Sequence, residues 1–115
     1  MVFPRAAPGY NEGNEKNRAG TTMEYVYVLR CGDNTLYTGW TNDIKKRLTA
    51  HSQGRGAKYT RGRGPLYLVH LEVLQDRSEA KRRENQIKRM TRTQKLFLIR
   101  QTETETEELK RQLGL

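Results

Sequence analysis

Tyr27 and Tyr37 close and open two tyrosine tripeptides, Tyr25-Val26-Tyr27 and Tyr37-Thr38-Gly39; Arg47 and His51 follow at helical spacing, and Glu84 comes much later. Two phenols, a guanidinium, an imidazole and a carboxylate are the groups that metal-dependent cleavage of a phosphodiester needs. Glu84 fits least with a purely structural account. It lies four residues after Ala80 and three before Ile87, within or beside the helical stripe that should face a core, where an unpaired carboxylate is costly. Its ordinary reading is an ion pair with Lys81, Lys88 or an arginine. Its chemical reading is a metal ligand, because Mg²⁺ takes one or two carboxylates, keeps several waters and completes its shell with substrate phosphate.

The rest of the chain suits a polyanion. It carries 22 Lys+Arg against 13 Asp+Glu, a net charge of +9 and a pI of about 10.0. Within residues 24–100 the balance is 17 basic to 7 acidic, so the middle of the chain holds both the basic surface and the chemistry. At 115 residues and 34% hydrophobic, one small core is all it can bury. No run of 18 apolar residues exists to span a membrane, and no apolar leader opens the chain, so a soluble cytoplasmic protein without membrane contact is expected. A single cysteine, Cys31, forms no disulfide framework or metal cluster and fits a reducing cytosol.

The elements that position these residues follow from pattern. Residues 24–30 are β-branched and aromatic, residues 31–34 hold Gly and Asn, and residues 35–38 resume as strand, which predicts a β-hairpin. Thr41 or Asn42 caps a helix with Asp43 in its first turn, Ile44 and Leu48 on one face, and Arg47 and His51 on an adjoining face. Gly54 to Pro65 shows no core pattern. Residues 66–74 read as a third strand, Ser78 caps a helix with Ala80, Ile87 and Met90 in register, and residues 96–99 continue as helix. The order β-β-α-β-α-α predicts an α/β (α+β) domain: a three-stranded antiparallel sheet flanked by helices. Residues 1–22, rich in Gly, Asn and Pro, read as a disordered lead before Met23, and residues 23–100 as the domain. Residues 101–115 read as a helical tail, with a capping box at Thr102–Glu105.

With these residues in this order the chain resembles the GIY-YIG nuclease family, and within it the small single-domain bacterial members of unassigned role, over residues 24–100. Tyr27 falls on the tyrosine of the first motif, Tyr37 and Gly39 on the second, Arg47 on the family arginine, His51 on the polar position a turn later, and Glu84 on the metal-binding glutamate. Tyr25 and Thr38 depart from the motif's glycine and isoleucine, at strand positions where identity mainly affects packing. The resemblance implies that Glu84 holds Mg²⁺ or Mn²⁺, that Arg47 grips non-bridging oxygens with its planar fork, and that Tyr27 or Tyr37 orients and deprotonates the attacking water. A tyrosine with its ordinary pKa near 10 is a poor base unless Arg47 and the metal lower it, and His51, near 6.5, is the competing base.

The glycine-rich stretch carries Lys58, Tyr59, Arg61 and Arg63, phosphate-binding charge around one aromatic face, and Lys88 joins a basic helix around Glu84. The function these features imply is a divalent-metal-dependent endonuclease acting on single-stranded or structured DNA, with RNA left open as a substrate. A monomer is expected, with target choice by a partner protein a further option. The alternative is a non-catalytic nucleic-acid-binding module that keeps the fold and the charge. Neither the pathway nor the identity of the base, Tyr27, Tyr37 or His51, follows from the sequence.

Overall fold

Strict alternation in the first strand sorts its side chains to two faces: Tyr25, Tyr27 and Leu29 join one buried cluster, Val26 and Val28 the other. A strand buried on both faces must be central. The computed structural model, which describes residues 23–115, places β1 (Glu24–Arg30) between β2 (Leu36–Thr41) and β3 (Tyr67–Leu74), antiparallel to both. The disordered lead read for residues 1–22 lies outside the described residues. Helices α1 (Ile44–Ser52), α2 (Arg77–Lys88), α3 (Arg92–Gln101) and α4 (Glu103–Leu113) complete the order β-β-α-β-α-α-α. The predicted three-stranded α/β architecture is the one found, with the C-terminal tail as a fourth helix.

Ile44 and Leu48 of α1 and Leu109 and Leu113 of α4 pack with Tyr25, Tyr27 and Leu29; Ala80 and Ile87 of α2 and Leu98 and Ile99 of α3 pack with Val26 and Val28. Helices therefore cover both sides of the sheet. Helix α4 also closes the outer edge of β3, where the Leu71 N–H donates to Thr106 Oγ1 (3.3 Å) and Lys110 Nζ to the Leu68 carbonyl (3.2 Å). Edge groups satisfied this way cannot recruit another strand.

The helix caps differ in detail from the sequence expectation. Asp43, not Thr41 or Asn42, caps α1 by accepting from the Lys46 N–H, while Thr41 Oγ1 holds the Asp43 N–H. Asp76 rather than Ser78 caps α2. Thr102 makes no side-chain cap on α4, because its hydroxyl donates to the Leu98 carbonyl (2.8 Å) and faces His70 Nδ1 (2.9 Å). The capping box belongs instead to Thr91 and Gln94 at the start of α3.

Candidate active site

In the β1–β2 ladder Tyr27 is paired with Gly39. A Cβ on residue 39 would lie 2.5 Å from the Tyr27 phenol oxygen, so the phenol lies where only glycine leaves room. That contact gives the second tripeptide's glycine a physical reason. Tyr37 stands two residues earlier on the same face of β2, its ring centroid 6.4 Å from that of Tyr27.

Helix α1 brings the next two groups. His51, in its last turn and only 2% exposed, places Nε2 2.9 Å from Tyr27 Oη. It is thus a buried histidine, not the helix-surface one that its position in a polar segment allows. Arg47, one turn earlier, lies close enough to the Tyr27 phenol for its charge and N–H groups to favour the ionised form. Glu84, from α2 on the other side of the sheet, comes close enough for its carboxylate to oppose that ionisation. Tyr37, Arg47 and His51 therefore gather around the Tyr27 phenol, and Glu84 acts on it electrostatically from the far side of the sheet.

Tyr27 is fully buried, and this burial, joined by Tyr37 and Glu84, pushes its pKa well above the usual value, outweighing Arg47. Arg47 pulls in the direction the sequence suggested but does not prevail. His51 shifts the other way: burial and then the Arg47 charge hold its pKa below the ordinary value, which keeps the ring neutral at pH 7. A reluctant acid next to a neutral base is an arrangement in which the phenol proton has somewhere to go.

Segment 53–66, between α1 and β3, closes over this pocket. Thr60, 2% exposed, places Oγ1 3.0 Å from His51 Nδ1. The chain passes so close that a Cβ on Gly56 would lie 2.4 Å from the imidazole. Gly32 N–H donates to the Arg63 carbonyl (2.6 Å), and Arg63 forms an ion pair with Asp33 (2.6 Å) that ties the segment to the β1–β2 turn. The Arg63 guanidinium also covers the Tyr59 ring at 4.5 Å, and that ring packs 5.9 Å from Tyr37 while remaining 42% exposed. Lys58 and Arg61 face solvent. Thr60, Gly56 and Asp33 are the site residues the sequence did not single out. A threonine amid arginines and glycines gives no periodic signal.

Glu84 is the carboxylate that the sequence singles out. Its side chain is 15% exposed and forms an ion pair with Lys88 at 3.1 Å, one of the partners its ordinary reading named. Among the described residues no three His, Cys, Asp or Glu side chains cluster as a metal cage. A single, largely buried carboxylate fits an ion of the Mg²⁺ type, which brings most of its shell as water and phosphate.

Comparison with known proteins gives a consistent answer. The model of the GIY-YIG catalytic domain matches residues 23–96. A UPF0213 protein of Clostridium perfringens is 50% identical over 93 residues, covering 81% of this chain and 100% of the relative. A UPF0213 protein of Halobacterium salinarum is 52% identical over 77 residues, 67% of this chain and 100% of the relative. The solution NMR structure of a UPF0213 protein from Bacillus halodurans is similar at 41% identity with a TM-score of 0.50, covering 71% of this chain and 87% of that one.

Proposed function

The chain belongs to the GIY-YIG family, a nuclease superfamily, and on that premise we propose that it is a divalent-metal-dependent endonuclease that hydrolyses phosphodiester bonds of single-stranded or structured DNA. The observation that carries this is the Tyr27 phenol, buried and hydrogen-bonded to a neutral His51, with the Arg47 charge favouring its ionised form and Glu84 within electrostatic reach. Packing alone does not require a hydroxyl there.

The residues divide the work as follows. A water beside Tyr27 gives a proton to the phenol oxygen while the phenol's own proton passes to His51 Nε2. The hydroxide so formed attacks phosphorus, the bond to the opposite ester oxygen breaks, and that oxygen takes a proton from solvent. Arg47 holds non-bridging oxygens through two parallel N–H groups. Mg²⁺ or Mn²⁺, held by Glu84, supplies charge neutralisation for the phosphate and the leaving oxygen when bound. For Glu84 to hold the ion, Lys88, its present partner, would have to release the carboxylate. Tyr59, exposed and backed by Arg63, offers a stacking face to an unpaired base, which a duplex keeps hidden; Lys58 and Arg61 add phosphate contacts.

A second reading has one observation in its favour: Lys88 already compensates Glu84, as in a binding module without chemistry. Labelled single-stranded, duplex and branched oligonucleotides incubated with Mg²⁺, Mn²⁺ or EDTA separate the two. Cleavage with either metal and none in EDTA is expected, fastest on single strands or branches. Binding without cleavage under every condition would establish the module instead.

A further inference from the structure

We propose that Thr60 is a positioning residue that fixes the tautomer of His51, with Nδ1 protonated and Nε2 bare, so that the Tyr27 phenol must donate to the histidine. Its consequence for rate rests on the nuclease reading above; the tautomer does not.

The direction of each bond follows from what its partners can do. The Ala57 carbonyl can only accept, so the Thr60 hydroxyl, 3.1 Å away, donates its proton there. Thr60 Oγ1 then has only lone pairs to offer His51 Nδ1 at 3.0 Å, which obliges Nδ1 to carry the hydrogen. A neutral ring protonated at Nδ1 has an unprotonated Nε2, and Tyr27 Oη, 2.9 Å away, donates to it. Every hydrogen bond from Tyr27 to Ala57 therefore points the same way.

Without that constraint the ring has another choice. With the proton on Nε2 the imidazole would donate to the Tyr27 oxygen and could not receive its proton, which would leave the phenol no base. The segment is built to prevent this. Gly56 lets the backbone pass against the imidazole, and the Thr60 N–H also bonds to the Ala57 carbonyl (3.2 Å), which pins residue 60 above the ring. The Arg63 N–H bonds to the Thr60 carbonyl (3.1 Å), so the tether through Arg63, Gly32 and Asp33 transmits its hold to that residue. Among the described residues the titratable and charged groups facing His51 are Tyr27, Tyr37 and Arg47, none of them a carboxylate that would favour a doubly protonated ring.

The test is a long-range ¹H–¹⁵N NMR correlation on the histidine-labelled full chain without metal or DNA, with His51→Ala used for assignment. Wild type should show a protonated Nδ1 and an unprotonated Nε2 at residue 51. Thr60→Val, which keeps the shape and removes the hydroxyl, should move that pattern toward Nε2–H, and Thr60→Ser should restore it. In cleavage, Thr60→Val should lose about 10- to 100-fold in kcat with little change in KM, again recovered by serine. An Nε2–H pattern in wild type, or an unchanged tautomer in a folded Thr60→Val, overturns the proposal. Should the valine variant fail to fold, Thr60→Ala removes the same hydroxyl, and an unchanged tautomer in that variant overturns the proposal. The expected tautomer in a protein that cuts nothing would support Thr60's role and refute the nuclease.

Discussion

The chain's two histidines occupy similar settings with opposite consequences. His51 and His70 are both buried, and each sets Nδ1 against a threonine hydroxyl that itself donates to a backbone carbonyl, Thr60 to Ala57 and Thr102 to Leu98. They differ at Nε2. His51 meets a phenol, which can donate; His70 meets the Glu72 carboxylate at 2.7 Å, which only accepts. Glu72 is gripped in turn by the Arg83 guanidinium, Nε to both oxygens at 2.9 and 3.0 Å. One side of the sheet thus holds a hydrogen-bonded chain that starts at a phenol, and the other a clasp centred on a carboxylate that joins β3, α2 and the α3–α4 junction. Burial of a histidine does not by itself mark function; its partner does.

The comparison can be broken first at the phenol. Tyr27→Phe keeps the ring over Gly39 and removes only the oxygen, so the single-turnover rate should fall about 100- to 10,000-fold, the range for general-base catalysis, with the melting temperature nearly unchanged. Tyr37→Phe and His51→Ala, measured beside it, tell whether the proton path runs as drawn. Near-normal rates in both phenylalanine variants with an inactive His51→Ala would make histidine the base that acts on water.

Glu72→Gln should do the reverse. Loss of the carboxylate leaves Arg83 without its counter-charge and weakens the acceptor facing His70 Nε2, a cost of about 2 to 4 kcal/mol in stability for such a partly buried pair, while kcat of the folded protein holds. The clasp also predicts a pH window. Burial would raise the Glu72 pKa, but hydrogen bonds from His70 and Arg83 bring it from 4.5 to about 2. Because the folded value lies below the unfolded one, its stabilisation is complete above pH 4.5 and is lost as pH falls toward 2. Urea unfolding across that range should show the loss in wild type and a flatter profile in Glu72→Gln.

Smaller effects sharpen the active side. His51 must be neutral to receive a proton, and its pKa is lowered by burial and Arg47. The cleavage rate should therefore hold through neutral pH and fall only on acidification below the ordinary histidine value of about 6.5; a fall already above that value would contradict the burial. Neutralising Lys58 and Arg61 should weaken binding to all sequences alike and reduce the slope of log affinity against log salt by about 1 to 2. Adding an Arg63 substitution should change the slope less, since Asp33 already compensates that charge. An unchanged slope would move the nucleic-acid track to α2.

The contrast also explains what could be read in advance. Tyr27, Tyr37, Arg47 and His51 were legible because strand alternation and helical spacing are local and fix which faces they occupy. Glu84 stood out because its carboxylate conflicts with the apolar stripe of α2. The clasp was not legible: His70, Glu72, Arg83 and Thr102 come from separate elements and meet only after the sheet is covered. Thr60 was missed because its role depends on the path of an aperiodic segment over His51. Thr102 was misread as a cap because a tertiary partner, His70, competes for the hydroxyl that local pattern assigns to α4.

Single-turnover cleavage of a labelled single-stranded oligonucleotide by wild type and Glu84→Ala, over a Mg²⁺ or Mn²⁺ titration, decides whether the chain is a metal-dependent nuclease. Wild type should cut in a metal-dependent way and Glu84→Ala not at all at any metal concentration, with DNA affinity and melting temperature retained. Cleavage by Glu84→Ala at the wild-type rate, or a wild type that binds the strand and never cuts it, would contradict that reading.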